Sequence, residues 1–135
     1  MSALVRGMQW RKALDLFEKM KQKKELTLSV VSYSSAISAC EKGLQWERCL
    51  LLLDEMTEKR ISKNVIVFGA AVTCMEKCSK AEIAFQLMEK MKHEGVTPNV
   101  HIYNSLIFVC ARYVILNAIF GLCYLVCHLS MMTNS

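Results

Sequence analysis

The chain has 135 residues, of which 53% are hydrophobic and 21% are charged, and its net charge is +5. A chain of this length can bury one modest core. Most of the charge lies before residue 100, where 16 basic and 12 acidic residues leave a net charge of +4. This excess favours anionic partners only mildly, and it is too small to establish nucleic-acid binding by itself.

Residues 1–29 predict the end of one helix followed by a second helix. Met1–Gly7 has the pattern of a helix end, and Gln9–Lys24 repeats apolar residues at the spacing of one helical face. No charged and apolar series typical of a signal peptide precedes this segment. The residues expected to point inward are Trp10, Ala13, Leu14, Phe17 and Met20.

The segment 30–99 contains the same pattern twice. Residues 30–64 align with residues 65–99 at an offset of 35 and without a gap, so that Tyr33 matches Phe68. A fixed period of this length indicates stacked repeats, in which each unit buries its apolar face only against its neighbours. We therefore expect a partial repeat at 1–29, full repeats at 30–64 and 65–99, and the start of a further repeat at 100–112, where Tyr103 matches Phe68.

Each full copy predicts two helices. Gly43 is expected to end a helix in the left-handed conformation. Ser79 and Glu82 have the spacing of a capping box at the start of the next helix. Gly95 and Pro98 are expected to stop the last helix of the second copy. The predicted helices lie near residues 31–42, 45–60, 66–77 and 80–94.

The repeat pattern fails after Arg112. Residues 113–135 contain no charged side chain, and 113–132 is long enough for a membrane span of about 20 residues. Three interpretations stay open: coding sequence that is not native to the protein and is folded as a helix capping the stack, a membrane anchor, and a buried capping helix of a longer protein. Contact with a membrane is expected only through 113–132.

The seven cysteines favour small buried residues in a reducing compartment over a metal site. Zinc sites usually take two close pairs of ligands. The spaced pair Cys74 and Cys78 would need Cys123 and Cys127, which lie in the doubtful last segment. No nucleophile with a partnered histidine and no Gly-rich phosphate loop is present. We therefore expect no metal, no cofactor and no enzymatic activity.

The repeat resembles the pentatricopeptide repeat (PPR) family. The resemblance rests on the opening Val30-Val31-x-Tyr33-x-x-x-Ile37-x-Ala39-Cys40, on the period of 35 and on the ending near Pro98-Asn99. It implies an all-α fold, a right-handed α-solenoid of helix-turn-helix repeats, here followed by an apolar C-terminal helix. The related tetratricopeptide repeat fits less well, because its characteristic Trp and Gly opening is missing.

The resemblance also implies a function and a set of site residues. It implies sequence-selective binding of single-stranded RNA, in support of RNA processing, stability, editing or translation in a mitochondrion or plastid. Alternatives are a protein-binding scaffold of tetratricopeptide type and a truncated inactive product. The fifth and last residues of a unit would face the base edge, with an adenine preference for the first pair and a loose purine preference for the second. These residues are Ser34 with Asn64, Gly69 with Asn99, and Asn104. The second residues, which would sandwich the bases, are Val31, Ile66 and His101.

Overall fold

The computed structural model describes residues 3–133, with backbone only for residues 3–8. Within this part of the chain the secondary structure is entirely α-helical. The fold is therefore an all-α helical-repeat solenoid. The helices are α1 (Ala3–Gln22), α2 (Val30–Lys42), α3 (Trp46–Glu58), α4 (Val65–Lys77), α5 (Ala81–His93) and α6 (Val100–Thr133). The four helices of the two full copies lie within a few residues of their predicted positions.

The helices form two layers. The first helices of the units, α2, α4 and α6, pack side by side. The second helices pack onto them: α1 against α2, α3 against α2 and α4, and α5 against α4 and α6. Long side chains bridge the second layer, with Lys21 Nζ 2.7 Å from Glu55 Oε2 and Lys90 Nζ 3.8 Å from Asp54 Oδ1. The first helices pack more closely against one another than the second helices do. This is expected if the first helices line the inner side of the stack.

Helices within the full units end at residues in the left-handed region. Leu44 and Ser79 have φ values of 55° and 58°, and Arg60 and Gly95 have values of 56° and 78°. Each pair is separated by one repeat length. Two predictions about these ends were wrong. Gly43 has a φ of −89°, and Ser79 ends α4 instead of capping α5, whose N-cap is Lys80 and forms no side-chain capping bond.

Gly43 is needed for space and not for its φ angle. A Cβ at this position would lie 2.4 Å from Cδ2 of the Trp10 ring. The prediction for the first segment also needs correction, because α1 runs through Gly7 as one continuous helix and Ala13 is exposed. Met1 and Ser2 lie outside the described residues.

The core begins where three helices meet around Tyr33. Its ring packs edge-on against Phe17 of α1 at 5.2 Å, and its hydroxyl donates to Glu55 Oε1 of α3 at 2.9 Å. Phe68 is equally buried in the next unit, whereas Tyr103 is 45% exposed. The expected equivalence of the three aromatic residues is therefore wrong for Tyr103. The reason is that α6 continues straight on, so no second helix of its own unit folds back over that ring.

The length of α6 has a local cause. The residue that matches Leu44 and Ser79 in the third unit is Val114. A β-branched side chain strongly disfavours the left-handed conformation that this turn requires. The helix is therefore not broken at Val114. It runs on through Thr133, and the side chains of residues 111–133 are exposed. In the described part of the chain they do not pack over the stack, so the expectation of a helix that caps these units is wrong. A capping role within a longer protein stays a prediction. By length and composition α6 is the one helix among the described residues that could span a membrane.

Candidate nucleic-acid interface

Apolar and aromatic side chains project from the start of each first helix. Val31 is 74% exposed and Ile66 is 63% exposed, and His101 at the same repeat position is exposed as well. The apolar spacing of α2 also predicts Val31 in one buried stripe with Tyr33 and Ile37, and that prediction is wrong for Val31. Exposed aliphatic side chains at one repeat position form a row of flat contact surfaces along the first helices.

The fifth positions lie one turn further along the same helices. Ser34 is half-buried on α2, Gly69 is buried on α4, and Asn104 is exposed on α6. A Cβ on Gly69 would meet Ile102 Cγ1 at 3.8 Å, which is an ordinary contact distance. The second unit therefore has no side chain at this position but has room for one.

The last residues of the two full units cap the next first helix. Asn64 Oδ1 accepts a hydrogen bond from Val67 N at 3.0 Å, and Asn99 Oδ1 accepts one from Ile102 N at 3.0 Å. Both asparagines are exposed. In each amide the oxygen is therefore engaged by the helix, while the NH2 group is the part that can donate to a ligand.

The structure joins the second and third units through Thr73. Its hydroxyl donates to the carbonyl of Gly69 at 2.8 Å and lies 3.2 Å from His101 Nε2. Because the hydroxyl proton is used on Gly69, the Thr73 oxygen can accept from an N–H at Nε2. This contact brings the fifth-position residue of one unit next to the second-position residue of the following unit. Thr73 is not among the site residues predicted from the sequence.

A row of basic side chains near the ends of the first helices was also not predicted from the sequence. Lys42, Lys77 and Arg112 occupy the same repeat position and are all exposed. Lys77 Nζ lies 2.7 Å from Glu41 Oε1 of the preceding unit, and Arg112 Nη2 lies 3.3 Å from Glu76 Oε1. The 35-residue spacing of these three cations was the available signal.

Cysteine thiols fill part of the core between α2, α3 and α4. Cys40, Cys49 and Cys74 are fully buried. Burial raises the pKa of Cys40 to about 11. A hydrogen bond with Cys74, together with burial, raises the pKa of Cys49, and the same hydrogen bond lowers that of Cys74. Among the described residues, no three His, Cys, Asp or Glu side chains form a group that could hold a metal ion.

These features define the class of protein: a helical-repeat solenoid with equivalent polar and apolar residues repeated along its first helices. Two family models match it. The one described as PPR repeat matches residues 1–24 and 31–61, and the one described as Pentatricopeptide repeat domain matches residues 51–112. The chain belongs to the pentatricopeptide repeat family. No curated protein sequence matches it.

The general properties of this family are known. The family is generally associated with RNA binding, and its members are typically non-enzymatic helical-repeat proteins that are commonly found in organelles.

Proposed function

We propose that the two full units bind single-stranded RNA with one base per unit, and that the first unit prefers adenine. The observation that carries this proposal is the paired role of Asn64, whose oxygen caps α4 while the NH2 group of the exposed side chain stays available to a ligand. A fixed cap holds the donor in one place, and a fixed donor is what discrimination between base edges requires.

The chemistry of the amide favours adenine. The NH2 group of Asn64 can donate to N1 of adenine, which is an acceptor on the Watson–Crick edge. Guanine presents an N–H donor at the same place, so two donors would meet. Ser34 is short, leaves room for a purine and can donate or accept with its hydroxyl. The pair Ser34 and Asn64 is therefore matched to adenine.

The exposed second positions supply the stacking surfaces. A base at the first unit would lie between Val31 and Ile66, and a base at the second unit between Ile66 and His101. Contacts of this kind tolerate any base, because each base has an apolar face. They add affinity, whereas the edge contacts add selectivity.

The second and third units would read their bases less sharply. Gly69 offers no donor or acceptor, so Asn99 alone gives a loose purine preference. Asn104 is the fifth residue of the third unit. The repeat pattern fails before the last residue of that unit, so Asn104 would contact its base without a paired residue. The basic row of Lys42, Lys77 and Arg112 supports the proposal because repeated cations can neutralise the phosphates of a bound strand. Lys77 and Arg112 would exchange their ion pairs with Glu41 and Glu76 for those phosphates.

In the cell, this recognition would serve the processing, stability, editing or translation of a transcript in a mitochondrion or plastid. A protein with only these units would contact about three bases, and stacking contributes about 1–3 kcal/mol per base. Useful affinity therefore needs further contacts along the same strand.

The proposal is tested by binding to four RNAs that differ only at the base opposite the first unit. The two full units are placed within a longer array of pentatricopeptide repeats of known preference, and the affinity is measured by fluorescence anisotropy. Adenine should be preferred several-fold, since one net hydrogen bond contributes about 1 kcal/mol. Equal affinities for all four RNAs would contradict the proposal.

A variant pair separates stacking from edge recognition. Val31→Asp should weaken binding to all four RNAs alike. Leu51→Asp places the same charge at a similarly exposed apolar position on α3, where Leu51 is 68% exposed, and should leave the affinities unchanged.

A further inference from the structure

We propose that residues 113–132 cross a lipid bilayer and fix the solenoid at a membrane surface. The first support is the length of this part of α6. Its 20 residues contain no charged side chain, and at 1.5 Å per residue they span about 30 Å, which is the thickness of the hydrocarbon core. The most apolar window of α6 has a mean hydropathy of 2.1.

The second support is that this part of α6 is exposed and is apolar over most of its circumference. Valines, leucines, isoleucines and a phenylalanine point in all directions, with Val114, Ile119 and Leu122 each at least 50% exposed. A protein partner would cover one face, and a helix adapted to it would be polar on the other. A bilayer covers the whole circumference, so it is the environment that fits this distribution.

Two common explanations for an apolar helix do not fit here. The core helix of a soluble protein is mostly buried, whereas only 11% of the most apolar window of α6 is buried. A signal sequence precedes the folded domain that it targets, whereas this segment follows two full repeats.

The boundary between solenoid and span is sharp. Arg112 is the last charged residue before the span, and it is tied to the solenoid by Nη1 donating to the carbonyl of Glu76 at 3.0 Å. Tyr113 follows at once and is 59% exposed. An arginine followed by an aromatic ring is typical of the point where a helix enters the lipid headgroups.

Most of the polar side chains within the span share one stripe, and Ser130 is the exception. Asn117, Tyr124 and His128, together with Gly121, follow each other at spacings of four, three and four residues, which places them on one helical face. The rings of Tyr124 and His128 lie edge-on with their centroids 6.0 Å apart. Apart from Ser130, the rest of the circumference is apolar, as insertion requires.

Because α6 is one continuous helix, the position of the span also determines where a bound RNA would lie. This step rests on the function proposed above. Ile102, Ser105, Leu106 and Val109 bury the first turns of the helix in the solenoid. Asn104 is nine residues before Tyr113 on the same helix, a distance of about 13 Å along its axis. A transcript held at Asn104 would therefore lie next to the membrane surface.

The test uses the full chain, synthesised in the presence of phosphatidylcholine vesicles, whose zwitterionic surface does not attract a chain of positive charge. The vesicles are washed at alkaline pH and floated through a density gradient. The protein should float with the vesicles after the wash, whereas aggregated protein would stay at the bottom. Recovery of the protein at the bottom of the gradient or in the wash would overturn the proposal.

Two matched variants locate the span. Ile119→Arg together with Leu122→Arg places two charges in its centre and should move most of the protein out of the floated fraction. Leu51→Arg together with Leu16→Arg adds the same charges to exposed leucines of the solenoid and should leave the floated fraction unchanged. Equal flotation of both variants would contradict insertion through 113–132. RNA plays no part in this experiment, so its failure would leave the proposed RNA binding untouched.

Discussion

Glu55 is predicted to be the main source of acid sensitivity in the first full unit. Its carboxylate accepts hydrogen bonds from Lys21 at 2.7 Å, Lys59 at 2.6 Å and the Tyr33 hydroxyl at 2.9 Å. Burial alone would raise the pKa of Glu55, but the hydrogen bonds from Lys21, Lys59 and Tyr33 outweigh it and lower the pKa from 4.5 to about 2. The ionised form is therefore the one that the fold stabilises.

The size of the effect follows from that pKa. One pKa unit corresponds to 1.36 kcal/mol, so the lowered value is equivalent to at most about 3 kcal/mol of folding free energy. Lys21 and Lys59 are 36% and 44% exposed, and solvent screening reduces this to about 1–2 kcal/mol. Because the pKa is lower in the folded state, the contribution is complete above about pH 4.5 and is lost as the pH falls through 2.

The assay compares the unsubstituted full chain with the Glu55→Gln variant. Both are unfolded with urea in the same non-ionic detergent, and the loss of helix is monitored by circular dichroism. The variant keeps the shape but not the charge, so it should be less stable by about 1–2 kcal/mol at pH 7. The difference should shrink towards zero near pH 2. Glu58→Gln, at an exposed position of the same helix, is the control and should change the stability by less than about 0.5 kcal/mol. A difference between the chain and Glu55→Gln that stayed constant from pH 7 to pH 2 would refute the reasoning.

Three further predictions concern the glycines and the cap. Gly43→Ala should destabilise the fold by about 1–3 kcal/mol because its Cβ would overlap the rigid Trp10 ring. Gly69→Ala, the same change at a helical position where a Cβ would make only an ordinary contact with Ile102 at 3.8 Å, should stabilise it by about 0.5–1 kcal/mol; a loss of stability in both would contradict the packing described. Asn64→Ala should cost about 1 kcal/mol through the lost cap of α4, whereas Asn64→Asp should keep the cap and the stability, as thermal unfolding would show. Gly69→Ser should give the second unit a several-fold adenine preference like that of the first, and an unchanged base preference in the anisotropy assay would argue against the fifth position as a reader.

The repeat and its helices could be predicted because they depend on periodic local pattern. Tyr33 and Phe68 mark the same buried position in two copies, and the 35-residue offset needs no knowledge of packing. The helix ends were harder, since the left-handed residues are Leu44 and Ser79 and not the glycine that propensity favours. Gly43 has a different role, because Trp10 of the preceding unit occupies the space that a Cβ at position 43 would need.

The side-chain contacts between units likewise could not be predicted from the sequence. Lys63 is a charged residue that pattern analysis places on the surface, yet its side chain is only 3% exposed. Its ammonium group donates to Thr57 Oγ1 of its own unit at 2.7 Å and to Glu94 Oε1 of the next unit at 3.1 Å. The site residues show the same limit. Asn64 and Asn99 were expected from the resemblance, but only the structure shows that their side chains also cap helices.

The most direct test of the proposed function is the base preference of Asn64→Asp. The carboxylate can keep one oxygen on Val67 N, as the amide does now at 3.0 Å, and present the other to the base as an acceptor in place of a donor. Measured by fluorescence anisotropy in the same longer array, the preference at the first unit should shift from adenine towards guanine, whose edge offers N–H donors. The shift should be several-fold, as expected for about 1 kcal/mol. An Asn64→Asp protein that folds normally and still prefers adenine would contradict the account.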